Sequence, residues 1–459
     1  MISAGKRYHF VGIGGAGMSG LAAVMLAGGV RVTGSDLQEN KEILRLRQAG
    51  AHIHMGHDPC TLDSEIDGVI VSSAIGEDNV EVKAARKREV PVVRRLHALA
   101  SVLRDYHSIG IAGTHGKTTT TAMVATILSK AGKDPSYLIG AHCPGLGGNS
   151  HLGQGDSFVT EVDESDGLFL SLHPTIGVVN NIGRDHLNTY RTLSAIKESF
   201  FQYVSQSEKA VLVIDDANIR ELAKRFPDAL TAGLCQDTQL QARDISHHHF
   251  HTRFDLVYRG ERICPVFLPA PGDHNVRNAL CALGTASLAG VNLTEAADAL
   301  ASFRLPHRRF QLLEENGVTV VDDYAHLPEE IEATLKAIRD GWNGRRIVAI
   351  FQPHRYTRTL AIGNEFGRAF REANTVVVTS IYPAMEQPIP GVSSQKIVEA
   401  IARSTNVDLC FIQSKEEVIT FLKSYIEPGD FIISFGAGDI WTVTEELSCF
   451  LKEGHLCAV

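Results

Sequence analysis

Gly113-Thr114-His115-Gly116-Lys117-Thr118-Thr119-Thr120 constrains the fold of this chain more than any other stretch. The apolar run Ile109 to Ala112 leads into it, and Ala122 to Leu128 follows with the character of a helix. A strand, a glycine turn and a helix N-terminus together aim backbone N–H groups and the positive helix end at one anion. Lys117 adds a point charge, and the Thr118 hydroxyl is a hard ligand for Mg²⁺. This architecture commits the region to an α/β layer and to a nucleoside triphosphate. The strict motif would place a glycine where this chain has Ile111. The lysine, the hydroxyl and both flanking elements still fall where the cradle needs them.

With 459 residues the chain is long enough for about three domains. Its 44 basic and 53 acidic residues leave a net charge of −9, which argues against nucleic acid or an anionic membrane as partner. Eight cysteines are scattered without a C-x-x-C pair, the usage of reduced thiols in a cytoplasmic protein. The apolar segment Val11 to Val30 follows Lys6-Arg7 and resembles a signal peptide or a membrane span. Seven of its residues are glycine, however, and their spacing points elsewhere.

Residues 1–104 alternate between predicted strands (Tyr8 to Ile13, Val30 to Gly34, Gly68 to Ser72) and helices (Met18 to Leu26, Val80 to Arg88). Such a rhythm builds a parallel sheet covered by helices. Residues 105–305 start with the phosphate cradle and continue with strands at Ser157 to Glu161 and Thr175 to Asn180. A polar insert, Thr231 to Tyr258, follows, and then helices at Asn275 to Ala289 and Thr294 to Ser302. Arg304-Leu305-Pro306-His307-Arg308 reads as a hinge. Residues 306–459 repeat the α/β rhythm, with strands at Val318 to Val321, Arg346 to Phe351, Thr375 to Thr379 and Asp430 to Phe435. Helices are expected at Glu329 to Arg339, Gly363 to Arg371 and Ser394 to Ala402. His247-His248-His249 and His251 read as a solvated loop, and His52, His54 and His57 as surface residues.

Gly12-Ile13-Gly14-Gly15-Ala16-Gly17 fits G-x-G-x-x-G between a strand and a helix, with Asp36 ending the next strand where a ribose-binding acid is expected. On its own this suggests an NAD-binding domain. A second phosphate cradle at 113–118 suggests instead a nucleotide-linked substrate together with ATP. Glu161-Val162-Asp163-Glu164-Ser165-Asp166 closes one strand, and Asn180-Asn181, with Asp185-His186 beyond, closes another. Ligands gather at strand C-termini in open parallel sheets. Hard oxygens and an imidazole there suit Mg²⁺ on ATP phosphates.

Taken together, these motifs resemble those of the Mur ligases over nearly the whole length. The carriers are His9 to Gly20; Gly113 to Thr120; Glu161 to Asp166; Asp185-His186; His274-Asn275-Val276-Arg277-Asn278-Ala279; Arg308-Arg309-Phe310; Asp322-Asp323-Tyr324-Ala325-His326; Phe351 to Thr359; and Gly436 to Ile440. The resemblance implies an α/β protein of three domains. These are a Rossmann-like UDP-sugar domain (1–104), a central P-loop ATPase-type domain with a parallel or mixed sheet (105–305) and a C-terminal Rossmann-like domain (306–459). It implies ATP-dependent amide formation: ATP phosphorylates the lactyl carboxylate of UDP-N-acetylmuramate, and the amine of L-alanine displaces phosphate from the acyl phosphate.

By the same resemblance, Gly113, Thr114, His115, Gly116, Lys117, Thr118 and Thr119 cradle ATP, with Asn275 and Asn278 at adenine and Asp323 near its ribose. Thr118, Glu161 and His186 would ligate Mg²⁺, with Mn²⁺ able to stand in. Arg309 would reach the γ-phosphate. Gly12, Gly14, Gly15, Ala16, Gly17, Met18, Ser19, Asp36, Ser72 and Ser73 would take the UDP-sugar. Tyr324, His326, Arg355 and Arg358 would receive the amino acid, with His354 beside them, and an Arg fork suits a carboxylate. Lys117, Glu161, His186, Arg309, His326, His354, Arg355 and Arg358 form the expected catalytic set. The family often has a second His where this chain has Leu327. The expected protein is cytoplasmic, a monomer or homodimer, without nucleic-acid or membrane partners. Met18-Ser19-Gly20 and Glu164-Ser165-Asp166 favour the alanine-adding branch over the ligase that recycles a whole tripeptide. An NAD-linked oxidoreductase and a non-catalytic nucleotide sensor are the readings from other classes.

Overall fold

Apolar, β-branched runs bounded by glycine turns produce three separate sheets. The computed structural model describes residues 4–164, 167–184 and 187–453. Ser165, Asp166, Asp185, His186 and Cys457 lie outside the described residues.

The first sheet is parallel, in the order His52–Met55, Arg31–Asp36, Arg7–Val11, Gly68–Val71, Val92–Arg94. The chain winds outward from Arg7–Val11 in both directions. The carboxyl ends of Arg7–Val11 and Gly68–Val71 therefore flank a topological switch point, the usual ligand crevice of such sheets. The apolar segment after Lys6-Arg7 divides between the end of a buried strand and the helix Ala16–Ala27, which buries Met18, Leu21, Val24 and Met25. Among the described residues no helix is long and apolar enough to cross a membrane.

Ten strands make the second sheet, in the order Glu261–Leu268, His251–Tyr258, Leu240–His248, Leu230–Gly233, Lys209–Val213, Ile176–Val179, His107–Ala112, Ser157–Glu161, Ser136–Cys143, Gly148–His151. His107–Ala112 is parallel to both its neighbours, Ile176–Val179 and Ser157–Glu161. Its last five residues are buried, as a strand covered on both faces requires. At one edge Ser136–Cys143 and Gly148–His151 pair antiparallel, so the sheet is mixed. The third sheet runs Gln311–Asn316, Val318–Asp323, Phe431–Phe435, Ile347–Phe351, Thr375–Val378, Asp408–Phe411, parallel except for its first pair.

Two compact units result. One contains the chain up to Asp244 with Phe254–Phe267 and Arg277–Arg304; the other contains Ile245–Arg253, Leu268–Val276 and Leu305 onward. The first unit thus takes in the first sheet and most of the second. A continuous buried cluster runs through it from Phe10 and Leu21 to Leu99, Leu138, Phe158 and Phe200. Leu138 and Asn149 pack on the helix Ala16–Ala27 beside Gly20, and the Asn149 amide donates to the Ala16 carbonyl at 3.3 Å.

Three expectations change. The tract His247 to His251, expected as a solvated loop, is the junction of two adjacent strands, residues 240–248 and 251–258, with His249 at φ +47 in their turn. Polar residues crowd both strands, Arg243-Asp244 and His247-His248 in the first, so no clean apolar alternation announces them. His247 is anchored by Thr252 Oγ1 at 3.2 Å and Asp273 Oδ1 at 3.0 Å. Gly363–Arg368 winds as a 3₁₀ segment rather than an α-helix, with Ser404 and the Ala400 carbonyl packed against Gly367. His57 is not a free surface residue, since its Nδ1 lies 3.0 Å from both Ser35 Oγ and Glu81 Oε2.

Glu81 is the centre of that buried polar group. It accepts from Ser35 Oγ at 2.6 Å and Thr61 Oγ1 at 2.9 Å, and His9 Nε2 stands 3.6 Å away. Burial opposes its charge, but His9, Ser35 and Thr61 outweigh burial and hold the carboxyl at about 2, below its ordinary 4.5. A carboxyl depressed in the folded state releases protons that the unfolded chain would keep, so its stabilisation is complete above pH 4.5 and fades as pH falls toward 2. Glu81→Gln should therefore lower stability at pH 7 and flatten the loss of stability below pH 4.5. Urea titrations across that range provide the check, and an acid slope unchanged in the variant would contradict it.

Candidate functional site

In the first unit, three strand ends lie side by side. Gly113 leaves His107–Ala112, Glu161 ends Ser157–Glu161, and Asn180 follows Ile176–Val179. Gly113 has φ +132, and a Cβ there would press on the backbone of Asn180 and Asn181 at 3.1 Å. Asn181 clasps the loop: its Oδ1 accepts from His115 N at 2.7 Å, its carbonyl from Thr114 N at 3.2 Å, and its Nδ2 donates to the His115 carbonyl at 3.1 Å. Asn180 Nδ2 donates to Thr120 Oγ1 at 2.9 Å, and Gly183 N to Thr114 Oγ1 at 2.8 Å. The helix Lys117–Lys130 then starts from Gly116 at φ +78.

Lys117 Nζ donates to the Gly113 carbonyl at 2.6 Å and pairs with Glu164 at 2.9 Å. Burial opposes its charge, but Glu164, Asp163 and Glu161 outweigh burial and keep the ammonium above its ordinary pKa. Thr118 Oγ1 donates to Glu161 Oε2 at 2.8 Å. Gly140 leaves the room that the Glu161 carboxylate occupies, since a Cβ at 140 would collide with it. Thr119 is buried. Asn278 sits on the helix Asp273–Leu288, and its side chain occupies the space a Cβ on Gly116 would need. The structure therefore brings Gly113 to Thr119, Glu161 and Asn278 together. His186, expected as the third metal ligand, lies outside the described residues.

Mg²⁺ takes hard oxygens, few from protein and the rest from phosphate and water. The hydrogen-bonded Thr118 hydroxyl and Glu161 carboxylate match that chemistry. Among the described residues no cluster of three His, Cys, Asp or Glu side chains could enclose a metal alone.

The expected UDP-sugar residues converge at the switch point of the first sheet. A Cβ on Gly12, at φ +77, would stand 3.2 Å from the Ser72 Cβ. Gly15 precedes the helix that starts at Ala16 and includes Gly17, Met18 and Ser19. Met18 and Ser19 are buried, and Ser73 is exposed. Asp36 is expected from sequence to be a ribose partner. Here its Oδ2 accepts from Gly14 N at 2.8 Å and its Oδ1 from Gln38 N at 3.2 Å, so it also braces the glycine loop. The Arg95 guanidinium lies against Gly17, a neighbour with no local signal in sequence.

The second unit carries the other group. Asn275 donates to the Pro271 carbonyl at 2.8 Å. Asp323 ends Val318–Asp323 and accepts from Phe310 N and Ala325 N, each at 2.7 Å. Burial raises its pKa to about 6, against the pull of Arg309 and the two N–H donors. The Arg309 and Arg308 guanidinium carbons stand 4.9 and 5.2 Å from the centroid of the Tyr324 ring, and Arg308 bonds Asp322 at 3.0 Å. From Tyr324 a row of rings continues: His326 at 5.3 Å, His354 a further 5.9 Å on, then Tyr382, parallel to His354 within 8°. Arg358 Nη1 lies 3.2 Å from His354 Nδ1. A guanidinium only donates, so Nδ1 accepts and the His354 proton sits on Nε2. Burial, reinforced by His326 and Arg358, pushes His354 down to about 3 and keeps it neutral at pH 7. Arg355 is exposed with φ +71. Leu327, at the position of the family's second His, is buried in the apolar core of this unit. Sequence reasoning missed Tyr382 and Glu330, which accepts from His326 N at 3.0 Å; both reach the row from elements outside the motifs.

Three stretches match Mur ligase profiles: residues 7–107 the Mur ligase family catalytic domain, 111–286 the Mur ligase middle domain and 308–438 the Mur ligase glutamate ligase domain. The chain is 43% identical over 456 residues to the UDP-N-acetylmuramate–L-alanine ligase of Geotalea daltonii, covering 98% of each. It is 44% identical over 448 residues to the enzyme of the same name from Trichlorobacter lovleyi, covering 96% of this chain and 98% of the relative. The crystal structure of UDP-N-acetylmuramate-alanine ligase from Thermotoga maritima superposes with a TM-score of 0.84 at 29% identity, over 98% of this chain and 99% of that one. A murein peptide ligase from Psychrobacter arcticus gives 0.70 at 25% identity, over 99% and 100%.

Gly116→Ala would need the left-handed φ of +78 and would drive its methyl into Asn278. Nucleotide affinity is expected to fall at least about tenfold, through strain and lost cradle geometry. Calorimetric titration with a nucleoside triphosphate measures it, and wild-type affinity would refute the assignment of the cradle.

Proposed function

The chain belongs to the Mur ligase family, and from that premise we propose that it joins L-alanine to the lactyl carboxylate of UDP-N-acetylmuramate, splitting ATP to ADP and phosphate. The observation that carries the chemistry is the meeting of Lys117, Thr118 and Glu161 at adjacent strand ends around the 113–116 loop. Likeness over nearly the full length to ligases named for L-alanine supports the choice of amino acid.

A carboxylate is a poor acylating agent because oxide is a poor leaving group. In the proposed reaction a lactyl carboxylate oxygen attacks the γ-phosphorus of ATP and ADP departs. The alanine nitrogen, as free amine, then attacks the acyl carbon; phosphate leaves and the nitrogen loses a proton. Bringing one anion to another requires fixed positive charge, supplied before the transition state forms. Lys117 holds the β- and γ-phosphates, and the loop N–H groups take the remaining oxygens. Thr118 and Glu161, completed by His186, would hold Mg²⁺, or Mn²⁺ in its place, which would offset phosphate charge. Asn275 and Asn278 are assigned to adenine, Asp323 to the ATP ribose region and Arg309 to the γ-phosphate. The glycine loop from Gly12 to Gly17, with Met18, Ser19, Asp36, Ser72 and Ser73, takes the UDP-sugar. Arg355 and Arg358 take the amino-acid carboxylate. Tyr324 and His326 line its approach, and neutral His354 orients Arg358 through Nδ1.

In cellular terms the reading is of a cytoplasmic enzyme of peptidoglycan precursor synthesis, monomeric or homodimeric, without membrane or nucleic-acid partners. Phosphate release with UDP-N-acetylmuramate and a panel of amino acids tests it. L-Alanine should drive release, and the L-alanyl-γ-D-glutamyl-diaminopimelate tripeptide should not. Lys117→Ala should cut kcat by about 10²–10³-fold, the usual cost of removing a group that stabilises developing charge, while UDP-N-acetylmuramate binding persists. Release driven by the tripeptide and not by L-alanine would reassign the chain to the recycling ligases.

A further inference from the structure

Arg355 and Arg358 flank Thr357 at the start of the short helix Tyr356–Ile362. Arg355 has a left-handed backbone, and its side chain supplies no cap to that helix. The restraint comes instead from a loop far along the chain. Glu386 Oε2 accepts from Thr357 N at 3.0 Å, and Glu386 Oε1 from Thr357 Oγ1 at 2.6 Å. The same loop is tied on at a second place: Arg355 N donates to the Tyr382 carbonyl, and Tyr382 N to the Pro353 carbonyl, each at 2.8 Å. The rings of His354 and Tyr382 also stack, 5.7 Å between centroids. Between the two ties, Ala384 and Met385 both have positive φ, +47 and +67, and Glu386 N closes a turn onto the Pro383 carbonyl at 2.9 Å. Non-glycine residues hold such conformations only where the surrounding structure enforces them. Met385 is 81% exposed, so burial of its side chain does not account for the turn. The turn's visible consequence is the aim of the Glu386 carboxylate.

We propose that Glu386 is a positioning residue. Its carboxylate clamps Thr357 and thereby fixes where Arg355 and Arg358 present their guanidinium groups to the carboxylate of the incoming amino acid. The inference rests on the assignment of those arginines to the amino acid under the proposed function. Arg side chains are long, and a planar fork is selective only when its backbone is held. The Glu386 carboxylate, bonded to Thr357 in the first turn, also favours an ordered start of the helix over a frayed one.

Steady-state phosphate release by the full-length enzyme, varying one substrate at a time, tests the clamp. Glu386→Ala should raise the KM for L-alanine about tenfold, a scale set by misplacing a binding group. The KM values for ATP and UDP-N-acetylmuramate should stay within about twofold and kcat within about threefold. Glu386→Gln keeps the shape and can still accept from Thr357 N, so it should recover most of the loss. Thr357→Val removes only the hydroxyl tie and should give an intermediate rise, which keeps the test open if the alanine variant is too unstable to assay. An L-alanine KM within about twofold of wild type in Glu386→Ala overturns the proposal. So does an equal rise in all three KM values, or a glutamine variant no better than alanine. Arg355→Ala separates the two levels. If it raises the L-alanine KM while Glu386→Ala does not, only the clamp fails. If Arg355→Ala leaves that KM unchanged, the assignment of the arginines fails and the clamp falls with it.

Discussion

The hold of Asn180 and Asn181 on the 113–116 loop is the interaction on which the rest of the first unit's site depends. A glycine turn by itself is floppy and loses much entropy on ordering. Here it is stitched to the neighbouring strand end by four hydrogen bonds through Asn181 and Gly183. The stitching works because His107–Ala112 and Ile176–Val179 are parallel and in register, so both chains leave the sheet at the same level. Glu161 leaves at that level on the other side, which brings it within hydrogen-bond reach of Thr118. Three strand ends thus bring sequence positions some 70 residues apart onto one surface, the one assigned to the triphosphate.

Close approach explains the other glycines that matter. Gly140 makes room for the Glu161 carboxylate, and Gly17 for the Arg95 guanidinium. In each case the charged group comes from another element, and the missing Cβ lets it in. Asp36 shows the complement: a carboxylate bonded to Gly14 N preorganises the loop that is assigned to a diphosphate, leaving less ordering to be done on binding.

The second unit uses rings and cations where the first uses backbone. Tyr324, His326, His354 and Tyr382 form a row that keeps the guanidinium groups of Arg308, Arg309 and Arg358 at fixed places. Burial first, and then the positive charge gathered there, disfavour protonated imidazole, so His354 stays neutral and serves as an acceptor. Leu327 belongs to the core beneath this row, and the row closes through His354 without a histidine at that position.

Sequence alone determined the α/β class, the glycine turns and the strands whose ends carry the site, because these depend on local chemistry. Buried parallel strands need unbroken apolar runs, and phosphate turns need glycine at residues such as 12, 113 and 116, where φ is positive. It also determined the roll of candidate residues, since a family's motifs are written in contiguous letters. It takes 247–251 for a solvated loop, where two strands rich in polar residues meet in a turn, and His57 for surface because Glu81 and Ser35 are distant in the chain. Only the tertiary structure decided which group each charge meets: Glu164 on Lys117, Arg95 on Gly17, Glu386 on Thr357. Those pairings arise from strand order and loop packing, which join residues far apart in sequence, and no local pattern of side chains encodes such a meeting.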